Sequence, residues 1–218
     1  MTTDLAWPQA QRCVAREDGG LPLLAQNASE LEQLLAVEAI TNPAVRFAQG
    51  KLTGIPRERR YDGPNTFVVM RPFLLIGASR FSDGGSLGVP YAAETVETGL
   101  AESTHHQAAR LRQARAPRGL SGRMQAYTLS TAGTLVDVRG PSDVDPAIYD
   151  PENYTAAQRF GRSLRDGGYR GVVYDSFRHP GGACAGLFWP DAVLDVSASD
   201  AWLYYYDGDR ISEFARVV

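Results

Sequence analysis

Short strand patterns begin after residue 65, and their order is the strongest constraint on the fold. Runs rich in apolar and aromatic residues predict strands at 67–70, 90–93, 124–130, 135–138, 171–175 and 183–189. Helical spacing predicts helices at 95–113 and 154–164. Because the strands and helices do not alternate regularly, the sequence predicts an α+β fold. We expect a compact, mixed, largely antiparallel sheet with helices rather than a doubly wound parallel sheet.

The first 65 residues have a different pattern. Ser29 followed by Glu32 is typical of a capping box at a helix start, and a charged, turn-rich connection follows at 57–65. We therefore predict one domain, residues 1–218, with a mostly helical N-terminal region (1–65) and a sheet-rich core (66–218) that carries the site. Asp207-Gly208 predicts a hairpin between strands 202–206 and 211–217.

The composition of the chain argues against several classes of function. A net charge of −3 gives no general attraction to nucleic acid or anionic lipid. No apolar run approaches the roughly 18 residues of a membrane span, and the N-terminus lacks a signal-peptide pattern. Two cysteines and three histidines offer neither a disulfide framework nor a zinc spacing. We expect a cytoplasmic protein with no metal, no direct nucleic-acid partner and no membrane association.

Arg80, Tyr91 and Glu102 follow one another at intervals of eleven positions. Arg80 lies in a turn of Ser and Gly residues, where a guanidinium binds phosphate well. Tyr91 begins a predicted strand, and Glu102 lies on the helix that follows it. Judged by residue type alone, each residue could also have an ordinary structural role. Arg80 would form a surface ion pair, Tyr91 would pack in the core, and Glu102 would be an exposed helix glutamate.

A second polar segment, 175–182, contains Ser176, Arg178 and His179 before Pro-Gly-Gly. Ser176 ends an apolar strand, but it lies outside the GxSxG motif of a serine hydrolase. A hydrogen-bonding role therefore suits it better than nucleophilic attack. The glycine clusters lack GxGxxG spacing, which argues against a dehydrogenase.

Together these segments resemble the RES domain, a family named for its Arg, Glu and Ser. The resemblance covers four blocks: 11–14, 79–85, 91–102 and 175–182. Two positions depart from the family pattern. Gln11 stands where an aromatic residue is usual, and Gly99 stands where an alanine is more usual.

The resemblance implies an enzyme with a fold similar to ADP-ribosyltransferases that destroys NAD+ as the toxin of a toxin–antitoxin pair. NAD+ would then be the substrate and not a recycled cofactor. An Xre-type helix-turn-helix antitoxin would block the cleft in a hetero-oligomeric complex. No cofactor is implied, although inorganic phosphate is one possible co-substrate.

The resemblance also assigns roles to residues. It implies Arg80, Tyr91, Glu102 and Ser176 as catalytic residues. The residues that would bind NAD+ are Arg12, Arg80, Tyr91, Ser176, Arg178 and His179.

The nicotinamide of NAD+ leaves as a neutral molecule from a cationic pyridinium, so cleavage needs no general acid. It needs a carboxylate near an oxocarbenium-like ribose and cations for the pyrophosphate. The sequence does not choose between water and phosphate as the attacking group. ADP-ribosyl transfer to a macromolecule is an alternative, which Leu100 weakens because an acceptor-binding Gln or Glu is usual two positions before the glutamate. A non-catalytic NAD-binding module is a second alternative.

Overall fold

A nine-stranded sheet with helices on both faces dominates the protein, described here from a computed structural model. The structure describes residues 2–3, 7–16, 27–41, 55–85, 88–131, 133–140 and 144–217. The helices are α1 (Ala28–Thr41), α2 (Thr66–Leu74), α3 (Val96–Gln113) and α4 (Thr155–Asp166). The strands are β1 (Thr2–Thr3), β2 (Trp7–Arg16), β3 (Ala78–Ser79), β4 (Ser82–Asp83), β5 (Tyr91–Ala93), β6 (Ser121–Thr131), β7 (Leu135–Asp137), β8 (Gly171–Asp175), β9 (Ala183–Leu187), β10 (Val193–Tyr206) and β11 (Ile211–Val217).

The sheet is largely antiparallel, as the sequence predicts. Its strand order is β1-β7-β8-β9-β5-β2-β6-β10-β11, and β3 and β4 form a separate small hairpin. Of the neighbouring pairs in the described sheet, β7 and β8 run parallel and the others antiparallel. The α+β prediction is confirmed. The predicted hairpin is also present, with Gly208 at a φ of 102° in its turn.

Alternating side chains divide the sheet into two packed faces. On one face, Val173 of β8 packs in a core with Met70 and Phe73 of α2. On the other face, Val172 packs in a core that includes Leu164 of α4. Helix α3 covers that second face further along the sheet, where Leu100, Ala108 and Met124 share a core. The sheet is thus enclosed between α2 on one side and α3 with α4 on the other.

The strand prediction for residues 67–70 is wrong, because these residues lie in α2. The buried side chains of α2 are Val69, Met70, Phe73 and Leu74, a spacing that presents one side of a helix to the sheet. A run of four apolar residues fits a buried strand and a buried helix equally well, so length and periodicity do not separate them.

The prediction that residues 1–65 are mostly helical is wrong for β2, which lies between β5 and β6 inside the sheet. Polar residues at its centre, Gln11 and Arg12, hide the strand pattern. The predicted cap is also displaced. Asn27 Oδ1 accepts the backbone N–H of Glu30 at 2.9 Å, so α1 starts before Ser29.

The single-domain division stays a prediction. None of the described helices is long and apolar enough to cross a membrane.

Candidate active site

A cleft opens where the sheet divides between β2 and β5. These strands are registered only at Gln11 and Ala93, after which they separate. Pro90 precedes β5 and has no backbone N–H to extend the ladder. The resulting cavity has a volume of about 490 Å³ and is lined by parts of β2, α2, β5 and α3. This volume is in the range of small-molecule sites.

Glu102 lies on the α3 wall of this cleft, and Ser176 holds its carboxylate. Ser176 Oγ donates a hydrogen bond to Glu102 Oε1 at 2.7 Å, across 74 positions of sequence. Cys184 Sγ lies 3.9 Å from the same oxygen. Burial, followed by the nearby Glu102 charge, raises the pKa of Cys184 to about 12, so it remains a thiol at neutral pH. Among the described residues no donor reaches Glu102 Oε2, which leaves that oxygen available to a ligand.

The turn that carries Ser176 is fixed onto the start of α3. Ser176 Oγ accepts the backbone N–H groups of Arg178 at 3.2 Å and His179 at 3.1 Å. His179 Nδ1 and Thr98 Oγ1 share a hydrogen bond of 2.8 Å. Gly182 completes the contact, because a Cβ there would lie 2.5 Å from Thr98 Oγ1. Ser176 and His179 therefore lie behind the cleft wall and are not among the residues that line the cavity.

Arg80 is buried at the cleft, with 8% of its surface exposed. Its Nη1 donates to the carbonyl oxygens of Ile148 at 3.1 Å and Asp150 at 3.0 Å. Its guanidinium lies 3.7 Å from the Phe177 ring centroid and 4.4 Å from that of Tyr154. These contacts fix the plane of the guanidinium, and they occupy one of its two terminal nitrogens.

Tyr91 connects β5 to the turn that presents Arg80. The hydroxyl of Tyr91 lies 2.9 Å from Ser79 Oγ and accepts the backbone N–H of Phe81 at 3.1 Å. Its ring meets the Tyr174 ring edge-on at a centroid distance of 6.3 Å. Burial raises the pKa of Tyr91, so the phenol stays protonated. The ring lines the cleft, while the hydroxyl positions the neighbouring arginine.

Arg12 supplies a second, half-buried cation on the β2 side. Its Nη1 donates to the Tyr91 carbonyl at 2.8 Å, in place of a backbone donor from β2. Its Nε is buried with no hydrogen-bond partner among the described residues. Burial is the main cause that lowers the pKa of Arg12 to about 10, with Cys13 opposing and Arg71 adding to the shift. Arg12 therefore stays charged at neutral pH and has donor capacity to spare.

The charge of the cleft is opposite to that of the whole chain. Glu102 is the acidic residue among the described lining residues, whereas the basic ones include Arg12, Arg71, Arg80, Arg110 and Arg178. The chain as a whole has a net charge of −3. An anionic ligand is thus attracted to this cleft, although the chain as a whole is acidic.

Of the predicted site residues, the cavity wall contains Arg12, Arg80, Tyr91, Glu102 and Arg178. Their individual roles stay predictions. Sequence reasoning missed several lining residues, namely Arg71, His106, Gln107, Arg110, Tyr154, Tyr174 and Phe177. A signal existed for two of them, because His106 and Arg110 follow Glu102 at helical spacing. Arg71 lies just after the run that was predicted as a strand, and the helix that brings it to the cleft was not predicted.

A RES-domain family model matches residues 53–207 of the sequence. The match spans well over half of the chain and contains Arg80, Tyr91, Glu102 and Ser176. The chain belongs to the RES-domain family. Among solved structures that match is the crystal structure of the M. tuberculosis MbcT-MbcA toxin-antitoxin complex, with 10% sequence identity and a TM-score of 0.48. That alignment covers 100% of this chain and 87% of the other. A search of curated proteins gave no match.

The structure gives a physical reason for one departure from the RES pattern and accommodates the other. A Cβ on Gly99 would lie 3.1 Å from Cys13 Sγ, closer than ordinary contact. Gln11 is buried, with its Nε2 donating to the Gln9 carbonyl at 3.2 Å and its Oε1 accepting from Thr128 Oγ1 at 3.3 Å. A polar side chain in place of an aromatic one is therefore satisfied locally.

Proposed function

We propose that this RES-domain protein is the toxin of a type II toxin–antitoxin pair and depletes NAD+ by cleaving its nicotinamide–ribose bond. The observation that carries the proposal is the Glu102 carboxylate, which Ser176 holds in the wall of an arginine-lined cleft. A fixed carboxylate and several cations meet the two requirements of this reaction, which are stabilisation of a cationic sugar and binding of a pyrophosphate.

In the proposed step, the bond between ribose C1′ and the pyridinium nitrogen breaks, and its electron pair leaves with nicotinamide. The ribose becomes oxocarbenium-like, and the negative charge of Glu102 stabilises it. Water or phosphate then attacks C1′, and water loses a proton to the solvent or to the carboxylate. Ser176 acts through its hydrogen bond to Oε1, so we assign it as a positioning residue rather than a nucleophile.

The β2 side of the cleft suits the pyrophosphate. Arg12 has a buried, unpartnered Nε, and Arg71 lies close enough to affect the pKa of Arg12. Two cations in a partly desolvated wall repel one another, and a bound anion relieves that repulsion. Arg80 contributes its charge at a fixed position, because the Phe177 ring and the carbonyl oxygen of Ile148 already hold its guanidinium.

The proposal includes a protein partner. By family resemblance, an Xre-type helix-turn-helix antitoxin would cover the cleft and form a hetero-oligomer with the toxin. Co-expression of the two genes should then relieve growth arrest, and purification of one chain should recover the other.

The direct test is to mix the purified chain with NAD+, with and without inorganic phosphate, and to follow nicotinamide release by chromatography. Glu102→Gln should reduce release by at least about a hundredfold. Glu97→Gln is the matched control, because Glu97 is an exposed glutamate in the first turn of the same helix. Free ADP-ribose in both buffers would indicate hydrolysis, and ADP-ribose 1″-phosphate formed with phosphate would indicate phosphorolysis. No nicotinamide release from the folded wild-type chain would refute the proposal.

The alternative of ADP-ribosyl transfer to a macromolecule is less favoured by the position of Leu100. This residue has 1% of its surface exposed and packs in the α3 core, so it offers no contact to an acceptor. A non-catalytic module is tested by the same experiment. It predicts that NAD+ binds without release of nicotinamide and that Glu102→Gln leaves toxicity unchanged.

A further inference from the structure

Three basic side chains occupy the α3 side of the cleft beyond Glu102. His106, Arg110 and Arg178 all line the cavity and are exposed to solvent. In the part of the chain that the structure describes, neither Arg110 nor Arg178 has an ion-pair partner. Exposed arginines elsewhere are of both kinds: Arg112, Arg162, Arg210 and Arg216 pair with a nearby aspartate, whereas Arg115, Arg123 and Arg159 have no ion-pair partner among the described residues. The feature that sets this group apart is that its three basic side chains line the same cavity in a chain of net charge −3, which indicates a place for an external anion.

The helix sets the spacing of this group. Glu102, His106 and Arg110 are separated by four residues each, so they form one row along α3. At a rise of about 1.5 Å per residue, His106 lies about 6 Å and Arg110 about 12 Å along the axis from Glu102. If the reacting ribose lies at Glu102, Arg110 is therefore two helical turns away from it, at the distance of a remote part of the ligand.

The electrostatics of His106 show that these charges act on one region. Partial burial lowers the pKa of His106, and Arg178 and Arg110 lower it further, while Glu102 opposes them. His106 is therefore neutral at pH 7 and has a ring N–H to donate. Two guanidinium groups near a neutral imidazole form a donor set that matches a phosphate dianion.

We infer that Arg110, His106 and Arg178 form a second anion subsite, which takes a phosphate dianion. The dianion is either a phosphate monoester at the far end of a dinucleotide, such as the 2′-phosphate of NADP+, or a free phosphate ion. The subsite belongs to α3 and to the turn that carries Ser176, whereas Arg12 and Arg71 belong to β2 and α2, so we assign it a phosphate other than the pyrophosphate. The inference that the subsite binds one phosphate of a dinucleotide rests on the proposed function, whereas the inference that it binds phosphate does not.

The first arm of the test compares NAD+ with NADP+, which differ by one phosphate monoester. Both are titrated by calorimetry into the Glu102→Gln chain, where turnover is blocked. Occupation by the 2′-phosphate predicts that NADP+ binds about tenfold more tightly than NAD+. Adding Arg110→Gln should remove that preference. Adding Arg159→Gln should keep it, since Arg159 is an exposed helix arginine on α4 outside the cleft.

The second arm titrates inorganic phosphate into the wild-type chain, the Arg110→Gln variant and the Arg159→Gln variant. Loss of about tenfold in phosphate affinity in Arg110→Gln alone, without any preference for NADP+, identifies free phosphate as the occupant. If Arg110→Gln changes neither the NADP+ preference nor phosphate affinity, the subsite is refuted. If no dinucleotide binds to any variant, the proposed substrate is wrong, and the phosphate titration still decides the subsite.

Discussion

Gly99 and Cys13 meet where α3 packs on β2, and this contact makes a measurable prediction. Glycine inside a helix costs about 1 kcal/mol relative to alanine. Gly99→Ala should therefore stabilise α3 unless the new methyl group meets an obstacle. The added Cβ would lie 3.1 Å from Cys13 Sγ but 3.7 Å from its next neighbours, Ala93 Cβ and the Gln11 carbonyl oxygen. The sulfur is thus the single obstacle within 3.4 Å of that position.

The size of the effect follows from these distances. Moving a packed sulfur by a few tenths of an ångström costs about 1–3 kcal/mol in a filled core. Gly99→Ala alone should therefore range from neutral to about 2 kcal/mol destabilising. In a Cys13→Ala background the obstacle is gone, and the same change should stabilise by about 1 kcal/mol. The expected coupling energy is about 1–3 kcal/mol.

Urea denaturation followed by circular dichroism measures the coupling in a double-mutant cycle of the four proteins. Thermal melts should agree, with about 2–4 °C for each kcal/mol in a chain of this size. Cys184→Ala is the matched control, because Cys184 is also buried in the cleft but is not among the atoms near the Gly99 Cβ position. Equal stabilisation by Gly99→Ala in the wild-type and Cys13→Ala backgrounds would refute the steric argument.

Further predictions concern the carboxylate, the thiols and the histidine. Ser176→Ala should lower kcat/KM for NAD+ by about a hundredfold through misplacement of Glu102, and Ser176→Thr should recover part of it, as nicotinamide release will show. Burial raises the pKa of both Cys13 and Cys184 to about 12, so the native protein should react slowly with iodoacetamide at pH 8. After unfolding, mass spectrometry should find both thiols modified. Fast labelling of the native chain would contradict this prediction. The pKa of His106 is lowered on folding, so the unfolded chain binds more protons as pH falls through about 6.5 and stability decreases there. His106→Gln should reduce that decrease in melts at pH 7 and pH 5, and an unchanged pH dependence would contradict it.

The sequence predicted which residue types the site would contain better than how they would be arranged. Helix α3 and strand β5 have clear local patterns, so Glu102 and Tyr91 were assigned to the correct elements. The contact between Glu102 and Ser176 joins residues 74 positions apart, and only the packed turn brings them together. The local pattern does not predict strand β2, where the cleft begins, because a polar pair at its centre breaks the apolar alternation; a strand at 11–14 was implied only by the resemblance to the RES family.

The contacts of Arg80 show why residue type alone does not define a role. A guanidinium in a Ser- and Gly-rich turn predicts a phosphate ligand, yet this one is enclosed by two rings and two carbonyl oxygens. Neither Tyr154 nor Phe177 has a sequence spacing to Arg80 that would indicate these contacts. Removing Arg80 would leave the carbonyl of the buried Ile148 unpaired, which costs about 1–3 kcal/mol. If an Arg80 variant loses activity, its free energy of unfolding must also be measured before the loss is attributed to substrate binding. Glu102 and Arg110 have fewer structural partners, so variants at these positions report on the ligand more directly.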